Sequence, residues 1–147
     1  MKAPMQIGPG LFERITGHFA DGSAISDFTP EEQTFLSVRD NIERILNSRR
    51  RSLAHLPDFG LDDLSEIYRH LPSSTFRLRN AIESTLLKYE PRLKAVDIEV
   101  HSAEPGMMVS FTMACHLHKE GLVRFDTVFT PDGKTRLKML QAALDRY

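Results

Sequence analysis

Glu90-Pro91-Arg92 sets an acid and a base on either side of a residue whose ring fixes the backbone. An Arg held rigidly at such a corner can offer its planar fork to a carboxylate. The Glu can accept from backbone amides or from an Arg of another chain, so the pair suits docking. The plainer reading is a local salt bridge that closes the corner, worth little if exposed. The catalytic alternative is a glycosidase acting on peptidoglycan. That chemistry needs two carboxyl groups across a cleft, and the chain also carries Glu66, Glu83, Glu99 and Glu104. Glu90 fits the general-acid role badly, because a neighbouring Arg favours the ionised carboxylate whereas the acid must start protonated. With no Trp, few rings are at hand to stack on sugars, and no enzyme activity is expected.

His116 and His118 share one phase of an alternating segment, with His101 on the preceding one, so an imidazole cluster is conceivable. No carboxylate or thiolate completes a zinc spacing, and Cys115 falls on the opposite phase. No metal and no cofactor are expected. The single Cys reads as a reduced core residue. There is no Gly-x-Ser-x-Gly and no glycine loop to cradle phosphate. With 19 Lys+Arg against 20 Asp+Glu, nucleic acid is not an expected partner, since such binding rests on clustered phosphate neutralisation. Arg49-Arg50-Arg51 forms a basic knob at a helix end, where the dipole favours it. Met1 to Gly10 holds no continuous apolar stretch, so neither a signal nor direct membrane insertion is expected, and the setting is expected to be cytoplasmic.

The elements that position these residues can be read from periodicity. A chain of 147 residues suits one core without staples. Residues 1–28 read as a flexible arm with a short apolar anchor at Leu11, Phe12 and Ile15, able to dock at home or on a neighbour. Residues 29–147 read as a single domain. Thr29-Pro30-Glu31-Glu32 carries a capping box with Pro at the first helical position. Phe35, Val38, Ile42, Ile45 and Leu46 then form an apolar stripe, with Arg39, Asp40, Glu43 and Arg44 toward water. The loop Leu56 to Leu61 is pinned by Phe59 and Leu61. A second helix follows over Leu61 to Leu71. Ser73 or Ser74 caps a third, bearing Leu78, Ile82, Leu86 and Tyr89 and ending at Pro91. Val96, Ile98 and Val100 alternate with polar residues, as do Val109 to Leu117 and Val123 to Phe129, which predicts antiparallel strands. Residues 134–147 fit either a strand or a helix, and their end leans to helix. The fold class is α+β: about three helices, then an antiparallel β-meander of three to four strands, with the C-terminal stretch open between a last strand and a helix.

Three segments together carry a family resemblance: Ile45-Leu46-Asn47-Ser48-Arg49, Pro57-Asp58-Phe59-Gly60-Leu61-Asp62-Asp63-Leu64, and Glu90-Pro91-Arg92-Leu93 before an alternating strand. In this order the chain resembles the TssE family of type VI secretion system baseplate proteins. That family is similar in turn to the lysozyme-like wedge proteins of contractile phage tails. The resemblance spans roughly Leu11 to Thr130, with departures: Arg51 stands where relatives commonly have Gly, Phe59 where they commonly have Tyr, and the helix reading of the chain's end differs from a family pattern that ends in a strand. It implies a structural role in each baseplate wedge, with TssF, TssG and TssK as baseplate partners, near the inner membrane. It also implies a platform on which the TssB/TssC sheath starts to polymerise. Carried over, Glu90, Pro91 and Arg92 are the motif that meets neighbouring subunits. Apart from the resemblance, Leu11, Phe12, Arg49 and Phe59 are candidates for a second set of contacts.

Overall fold

The structure, a computed structural model, describes residues 10–49, 55–56, 59–61, 67, 69–71, 73–102, 109–119, 121–129 and 134–143. Among them are three helices, α1 (Leu11–Thr16), α2 (Pro30–Leu46) and α3 (Thr75–Tyr89), and four strands, β1 (Leu93–Ser102), β2 (Val109–Leu117), β3 (Leu122–Phe129) and β4 (Thr135–Ala143). The strands form one antiparallel sheet in the order β1-β2-β3-β4. The fold is α+β, as the pattern of periods indicates.

Helix α2 starts as its sequence dictates. Thr29 accepts from the Glu32 amide, the Glu32 side chain accepts from the Thr29 amide, and Pro30 follows where no donor is needed. Its apolar stripe lies in the core with Leu61, Leu78, Ile82, Leu86 and the inward residues of the sheet. The polar side departs from the expected solvent face. Asp40 is buried, accepting from the Ala20 amide and from Arg39, and Glu43 is half-buried against β4. Residues 18–28 and the sheet edge cover that side, so α2 is enclosed nearly all round. Burial of polar groups on this scale is tolerated because each finds a partner.

Helix α3 begins at Ser74, but the Ser74 hydroxyl donates to Ile67 O (2.5 Å) and makes no cap bond, nor does Ser73, which donates to His70 O (2.5 Å). Both hydroxyls tie the preceding turn instead. The second predicted helix falls mostly outside the described residues. Along β2, Val109, Phe111, Met113, Cys115 and Leu117 are buried in strict alternation, and Val123, Phe125 and Phe129 of β3 face the same core.

The leaning toward helix at the chain's end is corrected: Thr135–Ala143 is a strand paired with β3. Its period-two set, Thr135, Leu137 and Met139, meets the partner strand, which supplies backbone partners that a lone terminal helix would not gain. A register shift between Arg124 and Phe125, opposite Gln141 and Met139, leaves Leu140 as the extra residue. That bulge is what made the spacing look helical. Residues 144–147 lie outside the described residues.

Candidate functional site

The α3–β1 corner is tightly constrained. Helix α3 ends at Tyr89 because Pro91 excludes helical backbone from the residue before it, and Glu90 is extended (φ −119°, ψ 93°). The Glu90 side chain turns inward and is fully buried. Its Oε1 accepts from the Arg92 amide (3.0 Å) and Arg92 Nε (2.8 Å), and its Oε2 from Arg92 Nη2 (2.9 Å) and Asn41 Nδ2 (2.7 Å). The fork-to-fork pairing brings the guanidinium parallel to the carboxylate, which is the strongest geometry such a pair adopts. Arg92 spends its remaining reach on α2, donating from Nη1 to Ser37 Oγ (2.9 Å).

Ser37 completes the set. Its oxygen accepts from Arg92 and from the Gly10 amide (2.9 Å), and its hydroxyl donates to Glu13 Oε1 (3.4 Å), itself buried. Helices α1 and α2 and the corner are thus joined by one hydroxyl. Sequence reasoning missed Ser37, Asn41 and Glu13. The available signal was Ser37 and Asn41 four residues apart in α2, two small polar groups on a single face beside the apolar stripe.

The second sequence motif packs beside the corner. The Phe59 ring meets Tyr89 edge-on (centroids 5.1 Å apart, 74° between planes), so the ring serves packing without a phenolic donor. Gly60 has φ +100°, and a Cβ there would stand 2.3 Å from Ser48 O. The close approach lets the Leu61 amide donate to Ser48 O (3.0 Å), tying the loop to the end of α2. Arg49 donates from Nη1 to Leu46 O (2.9 Å) and Ser48 O (3.1 Å), closing that helix end as a cation should. Phe59–Leu61 thus joins the end of α2 at Ile45–Arg49 to the end of α3, while Glu90–Leu93 lies against the middle of α2 at Ser37 and Asn41. Arg50 and Arg51 lie outside the described residues, as do the side chains of Leu11 and Phe12. Ile15 of the same apolar island is 72% exposed, whereas Phe19 is buried against Phe28 (5.7 Å, 70°).

On the opposite side of α2 a charged groove of about 760 Å³ opens between residues 20–21 and β4, lined by Asp21, Arg39, Asp40, Glu43, Lys134 and Arg136 among others. Partial burial holds the Glu43 carboxyl above the usual glutamate range, Asp40 adding to this while Arg39 and the Leu137 amide oppose it. Asp21 is held below its usual range, first by the Ser23 hydroxyl and amide.

The chemistry weighed from sequence finds these placements. Glu90 is shut away from any substrate, with each carboxylate oxygen already accepting two donors. Cys115 is buried, and its surroundings, with a lesser contribution from the Glu90 charge, push the thiol up to about 12, so it is no nucleophile. His101 and His116 stand on the outer sheet face, His101 against the Thr112 hydroxyl (2.6 Å) and His116 against Asp97 (3.1 Å). Among the described residues no group of three or more His, Cys, Asp or Glu is placed to hold a metal ion, and no helix is long and apolar enough to cross a membrane.

Comparison with known proteins follows the same motifs. The baseplate wedge protein gp25 family matches over residues 33–122, which include all three motif segments. A chain of a solved structure described as "The baseplate complex from the type VI secretion system" is 39% identical, over 80% of this chain and 98% of that one, with a TM-score of 0.52. Among curated proteins none matches.

Proposed function

Since the chain belongs to the baseplate wedge protein gp25 family, and is similar along most of its length to a component of a type VI secretion baseplate complex, we propose that it joins the baseplate wedge to the sheath of a contractile injection machine and helps start sheath assembly. Its role in the baseplate is structural. The observation that carries the reading is the enclosed Glu90–Arg92 pair, whose polar atoms are engaged in holding a corner. A group committed in this way shapes a surface and performs no bond-breaking.

In this reading TssF, TssG and TssK hold the chain in the wedge, and the TssB/TssC sheath grows from it, in the cytoplasm beside the inner membrane. Neighbours meet the corner from outside, on exposed Pro91 and the rim of Arg92, while Glu90 fixes both from within. Phe59 and Arg49 extend that surface, and Leu11 and Phe12 add a contact from the N-terminal segment. A four-stranded open sheet also leaves edges whose unpaired backbone groups can receive a strand from the first sheath ring.

The test is sheath extension followed by fluorescence in cells lacking the chain, with co-purification of TssF, TssG and TssK on the wild-type protein. Loss of sheaths together with recovery of the three partners is the expected result. Sheaths that extend normally without it, or release of murein fragments by the purified protein that stops with Glu90→Gln, would overturn the proposal.

A further inference from the structure

The two rims of the sheet are not equivalent, and the difference selects where a strand can join. Leu117 donates to Gly121 O on the β3 side, while His118 donates to Arg92 O on the β1 side. Alternation along antiparallel β2 therefore turns its even-numbered residues toward β1 and its odd-numbered ones toward β3. By register, Ala95, Asp97 and Glu99 bond inward to His116, Ala114 and Thr112, and the backbone groups of Val96, Ile98 and Val100 point away from the sheet. The same phase carried across β3 turns Arg136 and Lys138 inward and leaves Thr135 and Leu137 on the outer rim of β4.

That outer rim of β4 is already taken. Asn47 acts as a one-residue strand, accepting from the Thr135 amide (2.7 Å) and donating to Thr135 O (3.0 Å). Glu43 accepts from the Leu137 amide. The bulge at Leu140 then breaks the regular pairing beyond. On β1 the irregularities sit near its ends, between Leu93 and Ala95 and between Val100 and Ser102, so Ala95–Val100 runs in unbroken register. Among the described residues nothing bonds the outward groups of Val96, Ile98 and Val100.

Charge separates the occupants. Within Val96–Val100 the exposed residues beside the open rim are Asp97 and Glu99, with exposed Lys94 and His101 outside that stretch, and the exposed residues opposite the guarded part of the closed rim are Arg136 and Lys138. Two copies pairing β1 to β1 about Ile98 would set Asp97 against Glu99, like against like, which disfavours a symmetric dimer. Pairing β1 of one copy to β4 of the next would match charges and add copies head to tail, as a ring or a filament. Asn47 and Glu43 stand on the rim that such an assembly needs. We infer that β1, over Val96–Val100, is the edge that accepts an extended segment from a different chain, with apolar residues toward the core side and basic residues over Asp97 and Glu99. The guard on β4 keeps the protein from adding to itself. This rests on the strand-accepting platform proposed above.

The probes are two nine-residue capped peptides, one alternating valine with lysine and one alternating valine with glutamate, added to the full chain while backbone amide exchange is read by NMR. The valine–lysine peptide is expected to slow exchange at Val96, Ile98 and Val100 by about tenfold or more and to leave Met139 unchanged, and the valine–glutamate peptide to do neither. Asp97→Lys with Glu99→Lys, both at exposed positions, should swap the preference. Protection at Met139, no protection on β1 at saturating peptide, or a preference unmoved by the double reversal would overturn the inference. A chain that takes the peptide on β1 yet fails to start sheaths sinks the platform and spares the edge assignment. One that starts sheaths while its β1 amides stay unprotected in that assembly does the reverse.

Discussion

Helix α2 has two polar sides that solve the same problem in opposite ways. Toward the corner, Ser37 and Asn41 help enclose one ion pair in which both carboxylate oxygens and all three guanidinium nitrogens have partners. Toward β4, Asp40, Glu43 and Asn47 border a groove of about 760 Å³ in which Arg39, Lys134 and Arg136 mix with the acids. Burial amplifies the first set, while in the second only the Arg39–Asp40 pair is enclosed and water screens Asp21, Asn47, Lys134 and Arg136, so similar residue types should carry unequal energies. A dry pair fixes a shape, whereas a wet cluster adjusts it.

The sharpest way to break that contrast is to remove one partner of the dry pair. Arg92→Met leaves Glu90 buried without its fork and should cost about 3–5 kcal/mol, read as a lower urea midpoint. Charge reversal at Arg92 should unfold the corner outright, since it sets two carboxylates together. Next in size is Gly60→Ala, where the new Cβ meets Ser48 O and the backbone is left-handed. About 2 kcal/mol should be lost in the same assay. Asn47→Ala tests the wet side: it frees both backbone groups of Thr135 to water at about 1 kcal/mol, while sedimentation shows species larger than the monomer as the β4 rim opens.

Glu43→Gln is the smallest. With its carboxyl held above the usual value of 4.5, the folded chain binds that proton more readily than the unfolded one. Stability is therefore gained as pH falls from the folded value toward 4.5 and given up as pH rises through the same window. The Gln variant should flatten that slope in thermal melts and leave the remaining pH dependence alone. An effect at Glu43 as large as at Arg92 would erase the distinction between the two sides.

Much of the frame was legible because local rules decide it. The capping box at Thr29, the corner at Pro91 and the alternation from Val109 to Leu117 each depend on neighbours within a few positions. What escaped depends on distance along the chain. Asn41 reaches Glu90 49 positions away and Arg92 reaches Ser37 across 55, and no spacing rule encodes such pairs. The same holds for Asp40 and Glu43, polar in sequence but covered by residues 18–28 and β4. At β4 the period was ambiguous because Leu140 is a bulge, visible only once β3 supplies the register. Glu90 and Arg92 are legible as an acid and a base at one corner, but their enclosure, which turns them into a staple, needs both α2 contacts.

The central claim is that partners read the corner's shape and that the Glu90–Arg92 fork sets it. Arg92→Lys tests this most directly, because it keeps the charge and surrenders the paired geometry. Recovery of the variant with baseplate partners, normalised to folded protein by circular dichroism, should fall by about tenfold with the β-sheet signal retained. Full recovery by a folded Arg92→Lys chain would contradict the account.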